Sequence, residues 1–129
     1  MSMEPAVPGK VIAIGLDPSV VDYSAMPQFT PQMFQSYIEA QIERVRSLGY
    51  DVTSCLIDLG ETAEAVTAEA LNSQRFDCVL IGAGLRQADR LLLFEKIINL
   101  VHRLAPQANI CFNTTPADTA EAVQRWTAP

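Results

Sequence analysis

Two glycines, Gly82 and Gly84, lie in the stretch IGAGLRQ at 81–87, directly after an apolar run. A G-x-G-x-x-G turn in that position can hold the pyrophosphate of a dinucleotide, because glycines let the backbone approach the phosphates. Here Gln87 occupies the third glycine position. The first apolar run is followed by GLDPSV, in which Pro18 removes an amide donor. The stretch therefore predicts a strand-to-helix turn at a ligand-binding edge, and no nucleotide cofactor is predicted.

Other residues that carry chemistry are few. The single histidine, His102, is predicted to lie late in a helix, where it complements the helix dipole and is far from this turn. Mechanisms that need imidazole, such as Ser-His-Asp hydrolysis or histidine ligation of a metal, then lack their central residue. Asp17 is a candidate general base without an identified acid partner. The sequence predicts neither a metal site nor a cofactor, and it specifies no reaction.

Three cysteines, Cys55, Cys78 and Cys111, each fall inside a separate apolar run. There is no C-x-x-C motif, and the number is odd. We interpret them as small core side chains in a reducing compartment, and a redox or metal role is the alternative.

Composition favours one acidic, compact domain spanning 1–129. Apolar residues make up 49% of the 129 positions and charged residues 19%, with a formal net charge of −6. Such a charge repels phosphate backbones and anionic membranes, so neither nucleic acid nor a membrane is an expected partner. The opening segment MSMEPAVPGK lacks the pattern of a secretion signal, which predicts a cytoplasmic protein. Residues 1–9 are expected to form an extended or disordered tail.

Short apolar runs alternate with helical patterns along the chain. Strands are predicted at 10–15, 52–57, 76–81 and 109–112, and helices at 31–48, 61–72, 89–104 and from 115 onward. Thr30-Pro31 and the capping box of Thr115 and Asp118 mark two helix starts. An unusually long connection covers 16–30, which is typical of a binding loop. The alternation predicts a three-layer αβα sandwich around a four-stranded parallel sheet of order 2-1-3-4, flavodoxin-like or Rossmann-like.

In such a sheet, ligands bind at the carboxyl ends of the strands where the strand order reverses, here between the first and third strands. We expect a small polar or anionic ligand there, received in part by amides at the starts of the third and fourth helices. The candidate contacts are Asp17, Ser19, Gly82, Gly84, Arg86, Asn113 and Thr114. Each also has a local explanation: Asp17-Pro18 as a turn, Arg86 as a solvated cation, and Asn113 as a turn residue.

Helical faces carry two further signals. The first helix has an apolar stripe in which Gln41 is the only polar member: Phe34, Tyr37, Ile38, Gln41, Ile42, Val45 and Leu48. The third helix is apolar over most of its circumference, through Leu91, Leu92, Leu93, Phe94, Ile97, Ile98, Leu100, Val101 and Leu104. The apolar surface beyond what is needed to pack on the sheet is either covered by neighbouring segments or forms a homodimer interface. A scaffold or regulatory role through this helix is therefore the alternative to ligand binding.

The C-terminal third resembles a bacterial group of small single-domain α/β proteins without an assigned activity. The resemblance rests on IGAGLR at 81–86, LFEKIINLVHRLAP at 93–106 and CFNTTPADTAEAVQRW at 111–126. It implies a Rossmann-like or flavodoxin-like fold and no reaction. The serine- and glycine-rich phosphate loop of flavodoxins is replaced by LDPSVV, and Ile81-Gly82 stand where a receiver domain presents its phosphorylated aspartate.

Overall fold

The structure, a computed structural model, describes residues 7–129. Within these residues there are four strands, β1 (Lys10–Leu16), β2 (Asp51–Ile57), β3 (Cys78–Ile81) and β4 (Asn109–Phe112). They alternate with four α-helices, α1 (Pro31–Ser47), α2 (Ala63–Asn72), α3 (Leu91–Leu104) and α4 (Thr119–Trp126). Short 3₁₀ turns at Pro18–Val20, Ala83–Arg86, Ala88–Arg90 and Pro116–Asp118 lie in the connections at one end of the sheet.

The four strands form one sheet of order β2-β1-β3-β4 in which every neighbouring pair is parallel. Ile14 of β1 lies opposite both Cys55 of β2 and Ile81 of β3, and Leu80 lies opposite Cys111 of β4. The sheet order is therefore confirmed, as is the three-layer flavodoxin-like or Rossmann-like architecture. Strand order reverses between β1 and β3, whose carboxyl ends meet at one edge.

The central strands are buried on both faces because helices cover each side of the sheet. One core contains Ile12, Ile14, Val79 and Ile81 against residues of α2 and α3 such as Leu71, Ile97 and Val101. The other contains Val11, Ala13, Leu80 and Cys111 against residues of α1 and α4 such as Ile42, Val45 and Val123. Alternate residues of β1 thus face opposite helix pairs, and burying each large aliphatic side chain contributes about 2 kcal/mol.

Several element boundaries differ from the predicted ones for local reasons. The second helix begins at Ala63 and not at 61, because Asp58 accepts hydrogen bonds from the amides of Gly60 and Thr62 and holds this segment in a turn. The third helix begins at Leu91, after a 3₁₀ turn over Ala88–Arg90. The third strand begins at Cys78.

The predicted tail over 1–9 lies largely outside the described residues, which begin at Val7. Gly9 is buried, and its carbonyl accepts a hydrogen bond from the amide of Asp51 at 2.9 Å. Backbone pairing alongside β2 therefore begins one residue before β1. Within residues 7–129, no helix combines the length and apolar character needed to cross a membrane.

The three cysteines lie on β2, β3 and β4, and all are free and buried, as the apolar runs around them predicted. The sulfur atoms of Cys78 and Cys111 are 3.4 Å apart on neighbouring strands. Burial raises the pKa of the Cys55 thiol to about 11. Such a protonated, inaccessible thiol behaves as a small hydrophobic side chain.

Candidate functional site

An open cavity of about 640 Å³ lies at the carboxyl edge of the sheet, where the strand order reverses. It is on the side of the sheet covered by α1 and α4. The connection over residues 17–30 and the turns after β3 and β4 form the remaining walls. The cavity therefore occupies the position in which open parallel sheets bind ligands.

Residues with small side chains or none form part of the cavity floor. Ala13 and Gly15 of β1 and Gly82 after β3 line it together with Leu80. A Cβ atom built on Gly15 would meet no heavy atom within 4 Å, so the missing side chain leaves open space directly above the sheet. Gly15 is not among the seven predicted contacts, although a glycine inside an apolar strand is a signal for close approach of a ligand or another backbone.

The side walls are mainly apolar. Phe34, Ile38 and Ile42 of α1 line the cavity, as do Val21 and Met26 of the long connection. This connection is held in place by Tyr23, which is not a lining residue. The Tyr23 hydroxyl donates to the carbonyl of Pro18 at 2.8 Å, and its ring makes an edge-to-face contact with Phe34 at 6.2 Å between centroids.

Asn113 connects the turns that end the cavity. Its Oδ1 accepts from the amide of Ala83 at 3.0 Å, and its Nδ2 donates to Oγ1 of Thr119 at 3.0 Å. The side chain is only 5% exposed. Asn113 therefore lines the cavity while both ends of its amide join the β3 turn to the start of α4.

The amides at the N-terminal end of α4 are capped by side chains of the same segment. Asp118 accepts from the amides of Thr114 at 2.8 Å and Thr115 at 3.2 Å, and from the Thr114 hydroxyl at 2.7 Å. Thr115 in turn accepts from the amide of Ala117, which confirms the predicted capping box. Because a carboxylate of the protein already occupies these donors, the expected binding of an external anion at this helix start has little support.

We expect Asp118→Ala to lower the free energy of unfolding by about 1 kcal/mol at pH 7. Partial burial acts to raise the pKa of Asp118, but hydrogen bonds from Thr114 and Thr115 outweigh it and hold the pKa below its ordinary value. A depressed pKa stabilises the fold above the unfolded-state value of about 3.9, and this stabilisation is lost as the pH falls through the folded-state value.

The difference between wild type and Asp118→Ala is therefore expected to shrink below about pH 4. Urea denaturation at several pH values measures it. Glu69→Ala, at an exposed position of α2, is the control. A gap for Asp118→Ala that stays constant down to pH 2 would contradict the capping role.

Asp17 and Ser19 do not line the cavity. Asp17 caps the 3₁₀ turn over Pro18–Val20, accepting from the Ser19 amide at 2.9 Å and the Ser19 hydroxyl at 2.8 Å. These hydrogen bonds lower the pKa of Asp17, which makes its carboxylate a weaker base. The geometry matches the alternative interpretation of Asp17-Pro18 as a turn.

Arg86 also lies outside the cavity lining. Its guanidinium donates to the carbonyl of Asn113 and lies 4.7 Å from the centroid of the Phe112 ring. Phe112 in turn contacts Phe94 of α3, with 5.8 Å between ring centroids. Burial lowers the pKa of Arg86. This arginine therefore links the β3 turn to the end of β4 and does not face the cavity.

Of the seven predicted contacts, Gly82, Gly84, Asn113 and Thr114 line the cavity, and the other three do not. The charged residues on its wall are instead Asp22, Asp89 and Arg90. Arg90 donates to the carbonyl of Gly84 at 3.1 Å. These charged residues lie in connecting segments without a regular sequence period, so no sequence pattern identified them.

The fold and the cavity define a class: a three-layer α/β domain with an open crevice at the switch point of its parallel sheet. No protein-family model matches the chain, and no curated protein matches it in sequence. A fold of this class does not specify a function, which depends on the residues of the site.

Proposed function

We propose that this protein binds a small organic molecule in the crevice between β1 and β3. The observation that carries the proposal is the cavity of about 640 Å³ above the side-chain-free floor at Gly15. This volume lies within the range of about 300–1,000 Å³ that is usual for small-molecule sites. Mainly apolar walls with a few polar groups are also typical of such sites.

The wall chemistry supports binding more than acid-base catalysis. The charged wall residues are Asp22, Asp89 and Arg90, all in connections at the rim. Two carboxylates against one guanidinium do not favour the anionic ligand that the sequence suggested, so we propose the polar, uncharged alternative. Free buried thiols and the resemblance of the C-terminal third favour a bacterial cytoplasmic setting for this function.

A metabolite screen by thermal denaturation tests the proposal. A ligand present at about 100 times its dissociation constant should raise the melting temperature by about 5–10 °C. The shift should vanish in Gly15→Leu, which fills the cavity, and persist in Asp17→Asn, whose side chain lies outside it. A shift that survives Gly15→Leu, or a broad metabolite library without any shift, would refute binding in this crevice.

A second candidate function is self-association through the first turn of α3. Most of the apolar surface of this helix is covered, since Ile97, Leu100 and Val101 are buried against the sheet and α2. Leu91 and Leu92 remain 62% and 77% exposed, and the neighbouring Leu59 is 52% exposed. Apolar side chains grouped in this way favour a contact with another protein surface, and we propose a homodimer.

Light scattering after size exclusion tests the homodimer. We expect a dimer at high micromolar concentration and a monomer for the double variant Leu91→Ser/Leu92→Glu. Val66→Ser, which changes an exposed apolar residue of α2, is the matched control and should remain dimeric. A monomeric wild type at this concentration would contradict the proposal.

A further inference from the structure

Gln41 is the polar side chain on the cavity wall whose amide has no hydrogen-bond partner among residues 7–129. It lies in the apolar stripe of α1 and is half-buried. The other amide side chains of the wall are engaged, Asn113 at both ends and Gln87 through a bond to the carbonyl of Ala83 at 2.9 Å. Gln41 therefore presents both a donor and an acceptor to whatever occupies the cavity.

The surfaces around Gln41 suit a flat molecule. Ala13 and Gly15 form a part of the floor with almost no side chain, and the side wall from α1 carries the aromatic ring of Phe34 next to Ile38. A planar ring can pack against the low floor while aliphatic and aromatic groups cover its remaining surface. A side-chain amide beside such a ring can form two hydrogen bonds with a neighbouring donor and acceptor of the ring, as glutamine does with the edge of adenine.

The charges of the site disfavour a phosphate. Asp22 and Asp89 lie on the wall, and the single guanidinium there, that of Arg90, already donates to the Gly84 carbonyl. The amides at the entrance to α4 are occupied by Asp118. A phosphate group would meet two carboxylates, while the guanidinium and the amides before α4 that could hold it are already engaged.

We infer that the ligand is an uncharged planar heterocycle of the nucleobase or nucleoside type, whose donor–acceptor edge pairs with the amide of Gln41. This inference rests on the proposed binding function and specifies its ligand class. The cavity is large enough for a ring system with an attached sugar.

Isothermal titration calorimetry with paired probes tests the ligand class. The probes are adenosine, guanosine, cytidine and riboflavin, each with its 5′-monophosphate, and indole as a ring without a donor–acceptor edge. At least one uncharged compound should bind, and its monophosphate should bind about fivefold or more weakly. Tighter binding of the monophosphate, or no binding of any uncharged heterocycle at millimolar concentration, would overturn the inference.

Substitution of Gln41 tests the role of its amide. Gln41→Leu should lower the affinity for the heterocycle about tenfold, because two hydrogen bonds are lost. Gln35→Leu, at an exposed position of the same helix, is the matched control and should bind like wild type. Gln41→Met provides a second variant, and circular dichroism verifies that each is folded. Unchanged affinity in folded Gln41 variants would overturn the inference.

The proposed function and this inference fail in different ways. The screen could find a ligand of another chemical class whose binding is lost in Gly15→Leu and unaffected by Gln41→Leu. That result would support the binding function and contradict the heterocycle. A heterocycle whose affinity is unchanged in Gly15→Leu rejects both, because it binds elsewhere.

Discussion

Gly15→Leu is expected to reduce ligand affinity by at least about 100-fold while leaving the fold intact. The added side chain projects from β1 into the cavity, where a Cβ atom meets no heavy atom within 4 Å. The position is not one of the glycines with positive φ, which are Gly49 and Gly60, so leucine introduces no backbone strain. Glycine in a strand interior also costs about 0.5–1 kcal/mol relative to alanine, so a residue with a side chain is favoured there.

The fold and the binding of this variant are measured separately. Denaturation should give a free energy of unfolding equal to or above that of wild type, while calorimetry with the best ligand of the screen should give no measurable heat. Gly15→Ala is the graded control, since one methyl group should weaken binding only severalfold. Wild-type affinity in a folded Gly15→Leu protein would place the ligand outside the cavity.

Asn113→Ala is expected to destabilise the protein by about 3 kcal/mol. The substitution removes hydrogen bonds to the Ala83 amide and to Oγ1 of Thr119, both at 3.0 Å, and leaves donor and acceptor groups without partners around a buried position. Because these bonds join the β3 turn to α4, the end wall of the cavity should also loosen. Guanidinium denaturation at pH 7 should show a lower midpoint with an unchanged slope.

Thr119→Val separates the two hydrogen bonds of Asn113. Valine keeps the shape of the buried threonine but removes the hydroxyl that accepts from Asn113 and donates to the Pro116 carbonyl at 2.7 Å. We expect a cost of about 1–2 kcal/mol for this variant, and the double variant should cost less than the sum of the single ones. A loss below about 1 kcal/mol for Asn113→Ala would show that the amide does not join the two turns.

The architecture followed from the sequence because its signals are local. Apolar β-branched runs at β1 and β3 specify strands buried on two faces, and the pattern of α1 specifies a helix with one covered side. Thr115 and Asp118 marked a helix entrance through atoms that lie within four residues of each other. Right-handed crossovers then leave few sheet orders, and the predicted order 2-1-3-4 is the one present.

The position of the cavity at the switch point is likewise where the predicted topology placed a ligand. Short turns decide which side chains face the cavity. These turns have no regular sequence period, so the direction of their side chains could not be predicted from the sequence. The Asp17 carboxylate accepts a hydrogen bond from Ser19, and Arg86 lies over Phe112. Each of these two residues occurs in or beside a 3₁₀ turn of only a few residues. A shift of one residue in such a turn redirects a side chain by about 120°.

The sequence by itself therefore determined the strands, the helices, their caps and the layer order, since these depend on neighbours along the chain. Gln41 was visible as the polar member of an apolar stripe, and Gly15 as a glycine in a buried strand. Only the tertiary structure decided that they line one crevice, because packing α1 across β1 brings together residues that are distant in sequence.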